Sequence, residues 1–284
     1  MLIHSESSYI ANASYNERVS VDIDLVVDRS ADGKWIRERI PARVPNNEVY
    51  ELANSPMLVK GLAADDQIRL ERDGQFELVR WGGNVAIQVY GEWGEVDALA
   101  QHIASIGGRL DGKEPRMRVF TVPLQVGLHR IESTVDTVVK DWPALSWMFG
   151  NLVEIELFVG VDDTGAPIYE HLRVLDHGDG VYELAASPLL ASGLAAADKI
   201  RLSEDGGFEL VHAGGNLAVQ AFGNWELTFF EQKVEEVGGR LDALAGDQVA
   251  VFTFPPTVDR VTVEELFASA QTDDDTRTWQ ITNP

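Results

Sequence analysis

Hydrophobic and polar positions alternate at every second residue over several short stretches of this chain. Val21, Ile23, Leu25 and Val27 are interleaved with Asp22, Asp24 and Val26, the period of a half-buried strand. Asp32-Gly33 marks a turn into a second strand through Trp35–Ile40, and a short strand follows at Val49–Leu52 before Ser55-Pro56 breaks the chain. Gln67–Leu70, the turn Asp73-Gly74 and Phe76–Val79 read as a hairpin, after which Gly82-Gly83 bends the chain into Val85–Tyr90. The period then changes. Val96, Leu99, Ala100, Ile103 and Ile106 fall on one helical face, with Gly107-Gly108 as the C-cap. A strand at Arg118–Val122 and a short helix complete the pattern. It predicts an α+β class in which an antiparallel β-sheet has one or two helices packed on one face.

This pattern occurs twice. Val49-Tyr50-Glu51-Leu52-Ala53-Asn54-Ser55-Pro56 returns as Val181-Tyr182-Glu183-Leu184-Ala185-Ala186-Ser187-Pro188, and from 49–93 to 181–225 the two stretches align without a gap, 29 of 45 positions being identical. Gly107-Gly108-Arg109-Leu110-Asp111 returns as Gly238-Gly239-Arg240-Leu241-Asp242, and Val119-Phe120-Thr121-Val122-Pro123 as Val251-Phe252-Thr253-Phe254-Pro255. A unit this long is a whole domain, since solenoid repeats run to about 20–50 residues. The expected organisation is a first copy over 1–139, an apolar connector over 140–150, a second copy over 151–270 and a frayed acidic tail over 271–284 carrying Asp273-Asp274-Asp275. In the connector, Trp142 and Trp147 either pack between the two copies or on the first one, the favoured reading, or anchor a partner.

The 284 residues are 45% hydrophobic and 24% charged, ordinary for a globular protein. What changes the picture is charge: 23 Lys+Arg against 46 Asp+Glu leave a net of −23. Residues 1–150 hold 16 basic and 22 acidic residues, net −6, and residues 151–284 hold 7 and 24, net −17. Arg37, Arg39, Arg72, Arg80, Arg116 and Arg118 of the first copy become Tyr169, His171, Glu204, His212, Gln248 and Ala250 in the second. Such a field argues against direct binding to nucleic acid or an anionic membrane surface and favours a basic protein partner. The alternative origin of the bias is drift towards a soluble, salt-tolerant surface. The absence of cysteine excludes disulfides, thiolate chemistry and Cys-type zinc sites. Met1–Glu6 lacks a basic, apolar export leader and no stretch approaches the ~20 apolar residues of a membrane span, so a cytoplasmic protein is expected.

The sequence contains no nucleophile elbow, metalloprotease motif, P-loop or dinucleotide fingerprint. No catalytic residue, metal or cofactor is assigned, and the sequence leans away from an enzyme. Glu170-His171 and Asp176-His177-Gly178-Asp179 can be imagined as metal ligands, but they sit where a turn needs Asp and Gly. The polar set kept in both copies (Tyr50/Tyr182, Glu51/Glu183, Gly82-Gly83-Asn84/Gly214-Gly215-Asn216, Gln88/Gln220 and Trp93/Trp225) reads more readily as turn and core chemistry than as a site.

At Y-E-L-x-x-S-P…G-L-A-x-x-D-x-I-R-L-x-x-D-G-x-F-E-L-V…G-G-N, with G-G-R-L-D and F-T-x-P downstream, the sequence resembles a bacterial domain-of-unknown-function family, DUF4265, over residues 19–134 and 152–270. The resemblance implies small cytoplasmic α+β modules, some of them similar to components of toxin–immunity loci, and supplies no catalytic residue. Together with the −17 half it leads to an expected function: an immunity-type inhibitor that occludes the active site or substrate groove of a basic toxin or effector. The expected contact residues are Glu154, Glu156, Asp162, Asp163, Asp176, Asp179 and Glu204, with Trp142 and Trp147 as anchors. Two alternatives stand beside it. One is a ligand-binding or enzymatic protein with a pocket between the copies around Trp93/Trp225 and Tyr50/Tyr182, and the other is a nucleic-acid mimic that binds a DNA- or RNA-binding protein.

Overall fold

The computed structural model describes residues 20–46, 48–92, 98–203, 206–246, 248–271 and 276–283. It is α+β and duplicated, as the periodicity predicts, and each copy divides its antiparallel strands between two sheets. In the first copy β1 (Ser20–Arg29), β2 (Trp35–Asn46), β3 (Val49–Leu52), β4 (Gln67–Leu70) and β5 (Phe76–Arg80) form a five-stranded meander. Ile23 and Leu25 point into its core while Asp22 and Asp24 face out, so the alternation read from β1 is the alternation of the two sheet faces. A register shift between Val26 and Asp28 increases the local twist, and the Val26 amide reaches the Gly74 carbonyl at the β4–β5 turn (3.0 Å). The meander thereby curls onto itself. The second copy repeats this with β10 (Val153–Val161), β11 (Pro167–Asp176), β12 (Val181–Leu184), β13 (Lys199–Leu202) and β14 (Phe208–His212), its shift lying at Phe158/Gly160 and its closing bond running from Phe158 to Gly206 (2.9 Å).

The other sheet of the first copy is built by β6 (Asn84–Tyr90), α1 (Ala98–Ser105), β7 (Arg109–Glu114), β8 (Met117–Pro123), α2 (Leu128–Lys140) and β9 (Ser146–Phe149), in strand order β7-β8-β6-β9. This is the split β-α-β-β-α-β arrangement. Its counterpart is β15 (Leu217–Phe222), α3 (Leu227–Glu236), β16 (Arg240–Ala245), β17 (Val249–Phe254), α4 (Arg260–Ala270) and β18 (Thr278–Ile281), in order β16-β17-β15-β18. Leu128, Ile131, Val135 and Val138 give α2 one buried stripe against the sheet. Asp259 caps α4 by accepting from the Thr262 amide (2.8 Å). Among the described residues no helix is long and apolar enough to cross a membrane.

Two sequence expectations are corrected. Residues 140–150 are not a connector: Ser146–Phe149 is the edge strand β9, with Leu145 and Phe149 in the first copy's core and the half-buried Trp147 against it. Nor is the described part of 271–284 a frayed tail, because Thr278–Ile281 is the equivalent strand β18. Asp273-Asp274-Asp275 lie outside the described residues. The first copy thus runs through Asn151, whose side-chain oxygen accepts from the Ala86 amide (2.9 Å), and β10 begins two residues later. The copies touch through the Arg130–Glu235 ion pair, and Leu152, Leu175 and Ala185 join the core beneath β6–β9.

Candidate functional site

The motif residues shared by the copies converge on one buried polar seam between the curled sheet and the helical sheet. Asp111 is the extra residue of a bulge where β7 pairs with β8, and the bulge turns its side chain inward. One oxygen accepts from the Ser55 amide (2.7 Å) and the Thr121 hydroxyl, the other from Arg109 Nε (2.9 Å). Ser55 Oγ contacts the Thr121 hydroxyl and accepts from the Ala64 amide (3.0 Å). Asp242, Ser187, Thr253, Arg240 and Ala196 reproduce every one of these contacts. Asp66 accepts from the Ala63 and Gly82 amides (2.7 Å each), and Asp198 does the same with Ala195 and Gly214.

The Gly-Gly-Asn element belongs to this seam. A Cβ on Gly82 would lie 2.4 Å from the Asp65 carbonyl carbon, and one on Gly214 2.6 Å from that of Ala197. Asp65 and Ala197 are themselves held in the left-handed region at φ 67°. Asn84 and Asn216 then donate to the carbonyls of Ala64 and Ala196 (2.9 and 2.6 Å). Gln88 and Gln220 donate to Met57 and Leu189 (3.1 and 2.7 Å). Their oxygens are served differently: Tyr90 donates to Gln88, whereas Phe222 has no hydroxyl and Gln280 of β18 donates to Gln220 (2.7 and 2.8 Å). The copies exchanged one donor for another and kept the bond.

Burial drives the Asp66 carboxyl up to about 7, against the pull of the two amides. With a folded value near 7 and an unfolded value near 3.8, the folded state binds the extra proton between them. The stability this group contributes is therefore fully present below about pH 4 and is lost as pH rises to about 7, on the order of 4 kcal/mol in all. Urea titrations of wild type and Asp66→Asn at pH 4.5, 6 and 7.5 are expected to show their stability difference moving by kcal/mol against the wild type and levelling above pH 7. A constant difference would refute the assignment.

The acidic residues singled out from sequence do not form one cluster. Glu154 and Glu156 stand on the outer face of β10, where Glu154 pairs with Arg173 (2.9 Å) and His171 (3.2 Å). Asp162 and Asp163 are exposed at the β10–β11 turn, Asp162 being held below the usual carboxylate range by the Thr164 hydroxyl and the Ala166 amide. Asp176 and Asp179 are exposed at the other end of β11, roughly 30 Å away along a ten-residue strand. Glu204 lies outside the described residues. Trp142 is exposed, while Trp147 donates to Asp136 (2.8 Å) and packs edge-on against Phe149. What sequence reasoning missed is apolar: Phe158 and Tyr169 pair across β10–β11 on the outer face, rings 5.8 Å apart, with Val161 (60% exposed) and Ile168 exposed beyond them beside Asp162 and Asp163. The signal was the replacement of Val26 and Arg37 by two aromatics in the otherwise matching strands.

Among the described residues, Trp225, Tyr50 and Tyr182 do not line one pocket. Trp225 is sealed in the second core against Phe230 and Phe267, Tyr50 and Tyr182 are half-buried in separate curled sheets, and Trp93 lies outside the described residues. The copies do enclose a 370 Å³ cleft lined by Arg80, Trp81, His177, Glu183, Lys199 and His212. Burial pushes the Glu183 carboxyl up, but the His177 ring nitrogen at 2.7 Å and Lys199 Nζ at 3.3 Å outweigh it and hold it low. Glu170 turns inward onto the amides of Leu190 and Ala191 (3.0 and 2.8 Å) while His171 faces out and His177 turns to Glu183, so the imagined metal ligands point apart.

The profile of a family described as Domain of unknown function (DUF4265) matches residues 38–142 and again 170–279. No curated protein matches the sequence. Among solved structures, that of a hypothetical protein from Neisseria gonorrhoeae is similar at 14% identity, with 47% of this chain and 94% of that chain covered and a TM-score of 0.37.

Proposed function

This chain belongs to the DUF4265 family, with one member domain in each half, and on that premise we propose that it is a protein-binding inhibitor of the immunity type, acting in the cytoplasm on a basic toxin or effector. The observation that carries the reading is the outer face of the β10–β11 hairpin, where an exposed Phe158–Tyr169 pair and Val161 sit beside Glu156, Asp162 and Asp163. Aromatic side chains in the middle of a patch supply most of the binding energy, and a charged rim supplies steering and discrimination. The −17 net charge of residues 151–284 gives such a rim the sign that draws a cationic partner. The polar residues shared by the copies support the same reading by default, since their hydrogen bonds are made inside the fold.

Phe158→Val with Tyr169→Arg restores the residues that the first copy carries at these positions. Affinity purification from the native host with wild type and with this variant is the test. A basic protein retained in equal amount by wild type, released by raised salt and at least tenfold depleted with the variant is the expected result. Co-expression should then spare cells from that protein's toxicity only when the wild type is supplied. Equal retention by both forms, or an acidic partner, would reject the reading.

A further inference from the structure

Of the six arginines that separate the first copy from the second, three, Arg37, Arg39 and Arg116, border one 710 Å³ cleft of the first copy, where the curled sheet meets the β7–β8 turn. Its floor is apolar, made by Met57, Leu58, Tyr90 and Met117, and Leu58 remains half-exposed. The volume and the mostly apolar lining with a few polar groups are those of a small-molecule site, which runs to about 300–1,000 Å³. The corresponding floor of the second copy, Leu189, Leu190, Phe222 and Val249, is also apolar, whereas its rim reads Tyr169, His171 and Gln248. The fold therefore needs the floor and does not need the arginines.

Two of the arginines are oriented by the fold. Arg37 donates to the Asp73 carbonyl (2.7 Å) and Arg39 to the Asp24 carboxylate (3.0 Å), while Arg116 is exposed on the β7–β8 turn. Two carboxylates also line the cleft. Glu38 is turned onto the amides of Met57, Leu58 and Val59 (2.6, 2.8 and 3.0 Å) and so is already satisfied, and Glu114 stands exposed at the rim. We propose that this cleft binds an amphiphilic anion, a small molecule whose apolar body lies on Met57, Leu58 and Met117 and whose carboxylate, sulfonate or phosphate head meets Arg116, with Arg37 and Arg39 adding positive charge from their places on Asp73 and Asp24. Guanidinium groups suit such heads because their planar forks donate two parallel hydrogen bonds. The site involves the first copy alone and does not rest on the partner reading above.

The test uses the full chain and three probes: the fluorescent aromatic sulfonate 8-anilinonaphthalene-1-sulfonate, dodecanoate, and the uncharged dodecanol. The sulfonate is expected to bind one site per chain with enhanced emission, and dodecanoate to displace it at least tenfold more effectively than dodecanol. The triple variant Arg37→Tyr/Arg39→His/Arg116→Gln, which carries the residues the second copy already accommodates, is expected to weaken both anions at least tenfold. Leu58→Ser, at a half-exposed position, is a second probe of the floor and is expected to weaken dodecanoate severalfold. Unchanged anion affinity in both variants, equal displacement by dodecanol, or no saturable site would overturn the proposal.

Discussion

Replacing Asp111 or Asp242 by alanine is expected to cost about 3–5 kcal/mol, because each substitution leaves several buried partners without an acceptor. Asp242 has a fully buried side chain and accepts from the Ser187 amide, the Thr253 hydroxyl and Arg240 Nε (2.7 Å for the last). Alanine leaves an amide, a hydroxyl and a half of a guanidinium facing an apolar void, each orphaned donor costing about 1–3 kcal/mol. The bulge that aims the aspartate would also lose its purpose, so the loss is expected at the junction of the two sheets in the mutated copy. Amide exchange read copy by copy measures this: Asp111→Ala should lower protection mainly between residues 20 and 151, and Asp242→Ala mainly beyond 152. A loss below 1 kcal/mol in both would show that the seam does not join the sheets.

Phe267→Ala is expected to be of similar size, about 3–5 kcal/mol, for a different reason. Phe267 is fully buried in the second helical sheet, its ring 4.9–6.2 Å from those of Trp225, Phe230, Phe252, Phe254 and Trp279. Four of these pairs are edge-to-face and the Trp279 pair is tilted; such contacts add to the burial of each ring, and five neighbours cannot all collapse into the space left. The corresponding position of the first copy is Val135, also fully buried, where truncation removes only two methyl groups. Urea unfolding of Phe267→Ala and Val135→Ala should show the larger loss for the former. Equal losses would mean that the aromatic core of the second copy is not better packed than the aliphatic core of the first.

The tandem duplication, the α+β class and most strands were legible because they are written in local signals: alternation at β1 and β10, Asp-Gly turns, and helical spacing ending on Gly107-Gly108. The division into two sheets was not, since strand partners are chosen by long-range pairing, which local alternation does not record. The edge strands β9 and β18 share only Trp147/Trp279 and, just beyond them, Asn151/Asn283 at the repeat offset, too little to stand out from an apolar connector. The candidate face was half legible. Charge divergence located it in the second copy, but formal charge does not distinguish Glu154, already paired with Arg173, from the exposed Asp163. The aromatic pair Phe158–Tyr169 escaped because each residue, taken alone, suits a buried strand face. The arginine cleft escaped because Arg37, Arg39 and Arg116 are brought together only when the β7–β8 turn folds against β2.

Asn151 closes the first copy and Val153 opens the second, which leaves no slack between them. Leu152, Leu175 and Ala185, which follow that boundary in sequence, lie in the core of the first copy's helical sheet. A chain cut after Asn151 would expose that core on one side and three orphaned apolar side chains on the other. The two halves are therefore no longer interchangeable cassettes. One of them finishes the other's core.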